Sequence, residues 1–125
     1  MAAGLRIREK EGEKKPTRYY SSKQEKSVAR AVGGRQTANS GATDFGGKSD
    51  ILTEDFALEC KTKMTASESI SIKKEWITKT EKEAVFMGKK YTALAFNFGP
   101  DEPNYYIIDE YLFQDLLEYL RNKDE

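Results

Sequence analysis

The amino-acid sequence predicts an α/β domain in which one central β-sheet is flanked by helices, in the order α-β-β-α-β-β-α. Its 125 residues suit one domain with a modest core. Short runs rich in β-branched and aromatic residues alternate with stretches whose apolar residues recur at helical spacing. Turn-forming residues such as Gly and Pro separate these segments, which favours alternating strands and helices.

The N-terminal segment predicts little regular structure. Residues 1–20 lack sustained periodicity and have Pro16 near their end, so they are predicted to form a flexible basic arm before a domain of residues 21–125. The sequence holds no apolar stretch that could serve as a signal peptide or cross a membrane. We therefore expect no membrane partner and a cytoplasmic location.

The first helix is predicted to begin at Ser22, because Ser22-x-x-Glu25 matches a capping box. The helix is predicted to continue to about Val32, with Val28 on its inner side. Gly33-Gly34 then ends it.

The middle of the chain predicts a loop, two strands and a helix. Residues 35–48 are rich in Gly, Ser, Thr and Asn, which is typical of a loop. Two short strands are predicted at residues 49–52 and 56–62. Apolar residues recur at helical spacing over residues 71–87, and Gly88 ends that helix.

The last third predicts two more strands and a terminal helix. Residues 91–98 form a continuous β-prone run, residues 99–103 a turn, and residues 105–108 a further strand. An amphipathic helix follows near the C-terminus. The residues predicted to form the core are Trp76, Ala84, residues 91–98 and the apolar stripe of the last helix, Phe113, Leu116, Leu117 and Leu120.

Composition excludes several kinds of chemistry. The chain has no histidine, which removes every mechanism that needs imidazole as base, nucleophile or metal ligand. Its one cysteine, Cys60, can form neither an internal disulfide nor a cysteine-based zinc site. Any metal ion must therefore sit on carboxylate and carbonyl oxygens, which favours Mg²⁺, with Mn²⁺ as a substitute.

The formal net charge is zero, but the charge is unevenly distributed. Residues 1–48 hold 11 Lys and Arg against 5 Asp and Glu, a local charge of +6. Residues 100–125 hold 2 against 8, a local charge of −6. The basic half could contact a polyanion such as DNA, or the mixed charges could simply solubilise the surface.

The two central strands place a pair of carboxylates opposite each other. If their turn is centred between Glu54 and Asp55, residues whose numbers sum to 109 face one another, so Asp50 opposes Glu59. The period of two puts Lys61 on the face of Glu59, with Cys60 on the other. Opposed like charges on neighbouring strands are destabilising unless something holds them together.

A divalent cation between the two carboxylates would explain the pattern. It would take one oxygen from Asp50, one from Glu59 and the backbone carbonyl of Cys60. It would activate a bound water for phosphodiester hydrolysis, with Lys61 orienting that water or countering developing charge. The alternative is a same-face salt bridge between Glu59 and Lys61 on a wet sheet surface.

The stretch GGRQTANSGATDFGGKSDILTEDFALECKTK resembles the core of the archaeal-type Holliday junction resolvases and their phage relatives, within the PD-(D/E)xK nuclease superfamily. Their pattern is a helix with a glutamate, a loop with a serine, an Asp on one strand and Glu-x-Lys on the next. Here these positions fall on Glu25, Ser40, Asp50, Glu59 and Lys61. The resemblance covers roughly residues 22–98.

The resemblance implies a restriction-endonuclease-like mixed β-sheet flanked by helices, and a Mg²⁺-dependent endonuclease that resolves branched DNA as a homodimer, encoded by a virus. Asp50 and Glu59 would be metal ligands and Lys61 the catalytic lysine. Glu25 would complete the acidic cluster, although its place in the capping box explains it equally well. Ser40 would touch DNA or simply belong to a turn. Residues 71–76 lack the Gln that many relatives carry there.

Basic residues lie mostly before or beside the predicted metal site, as a surface that follows a phosphate backbone requires. The predicted DNA-binding residues are Arg18, Lys23, Lys26, Arg30, Arg35, Ser40, Lys48, Lys63, Lys73 and Lys74.

Two other functions fit the same residues. One is a restriction-like or nicking repair endonuclease on the same core, for which 125 residues leave little room for extra recognition elements. The other is a DNA-binding module without catalysis, against which the presence of Asp50, Glu59 and Lys61 together argues.

Overall fold

A computed structural model describes residues 15–37 and 49–123, which form a mixed α/β domain with a five-stranded sheet flanked by helices. The general kind of fold is as predicted. In chain order the elements are α1 (Thr17–Val32), β1 (Arg35–Gln36), β2 (Ile51–Leu52), β3 (Phe56–Lys61), α2 (Lys74–Met87), β4 (Tyr91–Phe96), β5 (Tyr105–Ile107) and α3 (Glu110–Asn122). None of the described helices is long and apolar enough to cross a membrane.

The strands lie side by side in the order β1-β2-β3-β4-β5. Only β3 and β4 run parallel; the other three pairs are antiparallel. A parallel pair needs a crossover connection, and α2 supplies it between β3 and β4. The β2–β3 register pairs Ile51 with Leu58, so facing residue numbers sum to 109, which confirms the predicted register.

Two apolar clusters lie on opposite faces of the sheet. On the α1 face, Val28 packs with Ile51, Leu58 and two alanines of β4. On the α2 face, a smaller cluster joins Leu52, Ala57 and Ala84. Because successive strand residues alternate between faces, Ile51 and Leu58 lie under α1, whereas Leu52 and Ala57 lie under α2.

The predicted start of the first helix is wrong. α1 begins at Thr17, with Pro16 in extended conformation before it, so Ser22 lies inside the helix and no capping box forms there. Proline disfavours helical conformation in the residue before it, so the helix does not extend back past Pro16. Residues 17–20 thus belong to α1 rather than to the predicted arm, and residues 1–14 of that arm lie outside the described residues. The predicted end is confirmed, since Gly33 caps the helix with φ 69°.

Several strand and helix ends differ from the prediction. The predicted loop of residues 35–48 begins with β1, where Arg35 pairs with Leu52, and residues 38–48 lie outside the described part. Arg and Gln have no marked preference for strands. This two-residue strand forms because it pairs with β2 at the edge of the sheet. β2, β3, β4 and β5 are each one or two residues shorter than predicted, and α2 begins at Lys74 rather than near residue 71.

The apolar stripe of the last helix is not core, which corrects the prediction. No residue of α3 is buried, and the exposed fractions are 50% for Phe113, 43% for Leu116 and 48% for Leu120. Amphipathic periodicity predicts a helix and its apolar face, but not what covers that face. Trp76, also predicted as core, is half-buried and lies outside both apolar clusters, whereas Ala84 is buried as predicted.

The close approach of Gly34 to β2 yields a stability prediction. A Cβ on Gly34 would lie 2.8 Å from Cγ2 of Ile51 and 2.9 Å from the carbonyl oxygen of Leu52. We expect Gly34→Ala to lower the free energy of unfolding by about 1–3 kcal/mol, because backbone must shift to admit the methyl group. Urea denaturation measures it. Gly33→Asn is the control: no atom lies within 4 Å of its Cβ, and Asn tolerates the left-handed conformation, so stability should barely change.

Candidate functional site

Asp50 and Glu59 are neighbours across the β2–β3 hairpin, at the end where β2 begins. Extending the β2–β3 register by one residue places Asp50 opposite Glu59, as predicted. The period of two gives both side chains the face of Leu52 and Ala57, which is the α2 face. Oδ2 of Asp50 accepts a hydrogen bond of 2.9 Å from the backbone N–H of Cys60. The side chain of Asp50 thus occupies a backbone donor of β3 and is anchored to that strand.

Burial disfavours the charged forms of both carboxylates. Glu59 is only 8% exposed. Burial, and then the charge of Asp50, raise the pKa of Glu59 to about 7. Burial also raises the pKa of Asp50, although the Cys60 N–H and the charge of Lys61 oppose the rise. Both shifts mean that the ionised forms of the two carboxylates are destabilised at this site, and that a bound cation would stabilise them.

Lys61 lies beside the pair on the same face. Its Nζ is 3.6 Å from Oε2 of Glu59 and 4.5 Å from the centre of the Trp76 ring. The ammonium group of Lys61 therefore lies over the face of the indole ring, where a cation–π interaction stabilises it. This contact explains why Trp76 is only half-buried: it borders the site instead of filling the core.

Helix α2 contributes two charged residues that the sequence analysis did not identify. Glu83 is 4% exposed, and its Oε1 accepts a hydrogen bond of 2.9 Å from the hydroxyl of the buried Ser49. Its Oε2 lies 3.4 Å from Nζ of Lys79. Lys and Glu four residues apart are a common pair on helix surfaces, and only the packing of α2 on the sheet buries Glu83.

The carboxylates of Glu59, Glu83 and Asp50 all act electrostatically on Lys79. Burial lowers the pKa of Lys79, but the charges of Glu59, Glu83 and Asp50, together with the ion pair to Glu83, raise it above its ordinary value. Lys79 also lowers the pKa of Asp50 and Glu59 in return. The site therefore contains two ammonium groups, one from β3 and one from α2.

Glu25, the third acid predicted for the site, lies on α1, and the charge of Asp50 acts on it. Burial raises the pKa of Glu25, and the charge of Asp50 raises it further. Its Oε1 accepts a hydrogen bond of 3.4 Å from the amide of Gln36. Over residues 15–37 and 49–123, however, no group of three Asp, Glu or Cys side chains is arranged to hold a metal ion. A cation here would depend on the Asp50–Glu59 pair with backbone and water oxygens.

Cys60 takes a structural position. Its thiol packs against the α1-side core, and burial raises the pKa of that thiol far above its ordinary range. Only its backbone faces the site, through the N–H that binds Asp50. The predicted use of its carbonyl as a metal ligand stays a prediction.

The predicted DNA-binding residues fall into three groups. Arg18, Lys26, Arg30, Arg35, Lys73 and Lys74 are exposed. Lys23 forms an ion pair of 2.7 Å with Asp101, and Lys63 donates to the carbonyl of Ser69 at 3.2 Å, so part of their hydrogen-bonding capacity is already used. Ser40 and Lys48 lie outside the described residues.

Comparison with protein-family models, with curated proteins and with solved structures found no match to this chain.

Because the pKa of Glu59 is raised, we expect replacement of this residue to change the free energy of unfolding in a pH-dependent way. Because the folded-state pKa of about 7 exceeds the ordinary value of 4.5, the folded protein binds this proton more tightly than the unfolded chain does. Stability is therefore lost as the pH rises from 4.5 to about 7, and the loss stays constant above. We expect Glu59→Gln to raise the free energy of unfolding at pH 8 in EDTA by about 1–3 kcal/mol, and to change it little at pH 4.

Urea denaturation at the two pH values measures this effect. Glu81→Gln is the control, since Glu81 is an exposed glutamate of α2 and should show no such difference. An equal effect of Glu59→Gln at pH 4 and pH 8 would contradict the assignment of buried, uncompensated charge to Glu59.

Proposed function

We propose that this protein is a Mg²⁺-dependent endonuclease that hydrolyses phosphodiester bonds in branched double-stranded DNA, with four-way junctions as its main substrate. One observation carries the proposal: two carboxylates, Asp50 and Glu59, are opposed across a β-hairpin in a partly desolvated site, with the ammonium group of Lys61 alongside. The resemblance to junction resolvases supplies the choice of branched DNA.

The donor set suits a hard cation. The buried Glu59 and the half-buried Asp50 both have raised pKa values and offer carboxylate oxygens whose charge Lys61, at 3.6 Å from Glu59, only partly balances. Mg²⁺ prefers such oxygens and is held in proteins by one or two carboxylates, with water and phosphate oxygens completing its shell. When bound, it would supply Lewis acidity toward a phosphate oxygen and acidify a coordinated water.

The residues of the chain then have distinct roles. Asp50, anchored by the Cys60 N–H, and Glu59 would hold the cation. Lys61 orients the attacking water or balances charge that develops on the phosphate. Lys79, held by the buried Glu83, offers a second positive charge to a non-bridging phosphate oxygen.

Affinity for DNA would come from the exposed basic residues of α1 and of the start of α2. Contacts between such residues and phosphates give binding that weakens steeply with salt and carries little base specificity. Selectivity for a branch would then depend on the shape of the binding surface. The resemblance further implies that two copies act together, one on each of two strands.

A cleavage assay tests the proposal. Labelled four-way junction, linear duplex and single strand are incubated with the protein in Mg²⁺ or in EDTA. We expect paired nicks near the branch point of the junction, in Mg²⁺ only. Asp50→Asn should abolish cleavage with binding nearly unchanged, because the amide cannot hold the cation. Asp55→Asn, a matched change at an exposed residue of the β2–β3 turn, should cleave normally.

Other outcomes of this assay decide against parts of the proposal. Equal cutting of linear duplex would favour a restriction-like or nicking endonuclease. Binding without any cutting would indicate a non-catalytic DNA-binding module. Normal cleavage by Asp50→Asn would show that the site lies elsewhere.

The role of Lys79 has a separate test. If Lys79 contacts a phosphate, Lys79→Gln should reduce by about one the slope of log affinity against log salt concentration, because one fewer counterion is released. Its cleavage rate should fall at least about tenfold. Lys90→Gln is the control, since Lys90 is exposed and precedes β4 at the opposite end of the parallel strands. Identical slopes for both variants would remove Lys79 from the DNA contact.

A further inference from the structure

The C-terminal helix presents an apolar face that the described domain does not cover. Asp109 caps α3, accepting a hydrogen bond of 2.8 Å from the N–H of Leu112, so the helix has a well-defined start. It makes no extensive contact with any other helix or strand of the described residues. Four of its apolar residues, Phe113, Leu116, Leu117 and Leu120, nevertheless form a continuous stripe.

Helices of this length gain most of their stability from burying such a stripe against another element. Phe113, Leu116 and Leu120 are 43–50% exposed, and Tyr119 beside them is 64% exposed. Contiguous apolar surface of this kind marks an interaction site on a soluble protein.

The spacing of the stripe is symmetric. Its residues lie at intervals of three, one and three, so the pattern is the same in both chain directions about a point between Leu116 and Leu117. A second α3 in antiparallel orientation would set Phe113 opposite Leu120 of the other copy and Leu116 opposite its Leu117. A face that is complementary to itself is what a two-fold symmetric dimer requires.

The charges beside the stripe follow the same symmetry. Glu110 and Arg121 are eleven positions apart, close to three helical turns, so both flank the stripe on one side. In the antiparallel arrangement the two-fold axis is perpendicular to both helices. The flank that carries Glu110 and Arg121 then lies on the same side of the interface in both copies, while the helix direction is reversed. Glu110 of one copy then meets Arg121 of the other, twice per dimer. In a parallel arrangement the two-fold axis would run along the helices and turn this flank to opposite sides in the two copies, so Glu110 and Arg121 would not meet.

We propose that two copies of this chain dimerise through an antiparallel α3–α3 contact, with the Phe113–Leu120 stripe at its centre and the Glu110–Arg121 pairs at its edges. The inference rests on the surface of α3 and not on nuclease activity, so the two can fail separately. A contact of one helix pair lies at the small end of specific interfaces, so we expect a dissociation constant on the order of micromolar.

Sedimentation equilibrium of the full chain, from about 1 to about 500 μM, tests the dimer across the expected dissociation constant. The mass should rise from that of a monomer to that of a dimer. Phe113→Asp should weaken association at least about a hundredfold, because each dimer would bury two charges. Phe86→Asp changes a phenylalanine of α2 that is 71% exposed and should leave the dimer intact. Circular dichroism confirms that each variant is folded.

A charge exchange tests the orientation. Glu110→Arg alone and Arg121→Glu alone should each weaken the dimer several-fold, and the double variant should restore it. A monomer at every concentration, or a dimer that Phe113→Asp leaves unchanged, would overturn the proposal. Failure of the double variant to restore association would overturn the antiparallel pairing.

Discussion

The antiparallel register between β2 and β3 is the constraint on which the rest of the protein depends. With Ile51 opposite Leu58, the next pair outward is Asp50 and Glu59. A slip of one residue would carry Glu59 to the α1 face and expel Leu58 from the core. Two hydrogen bonds between Thr53 and Phe56 close the turn at 3.0 and 2.9 Å, and apolar packing under α1 holds the strands beyond it.

The two faces of the sheet differ: the main apolar cluster lies under α1, and the charged residues of the candidate site lie under α2. The α1 face carries the larger apolar cluster, with Val28 and Ile51 fully buried. On the α2 face, charged side chains from β3 and α2 meet beside the smaller cluster of Leu52, Ala57 and Ala84. Burying Glu59 and Glu83 there opposes folding unless positive charge accompanies them. Lys61 and Lys79 supply part of that charge.

The two lysines only partly balance the negative charge of the site, and this links the structure to the proposed chemistry. A carboxylate whose pKa lies near 7 exchanges its proton at physiological pH, and a cation that binds to it displaces the proton. A site of this kind is less stable alone than an apolar one would be. The cost is understandable where the negative charge is needed to hold a metal ion.

The amino-acid sequence by itself determined the class of fold, the hairpin register and the face shared by Glu59 and Lys61. These features follow from local rules: a period of two along strands, a period of 3.6 along helices, and glycine at helix ends. The absence of histidine likewise depends on nothing but composition.

Only the tertiary structure decided which chemically ordinary residues became part of the site. Lys79 and Glu83 form an i,i+4 pair like many on helix surfaces, and Ser49 lies in a polar stretch; packing of α2 on the sheet buries Glu83 and Ser49 together. The two-residue strand β1, and the exposure of the α3 stripe, were equally invisible along the chain. The physical reason is the same in each case: periodicity tells which side chains share a face, whereas burial and charge depend on what lies opposite that face.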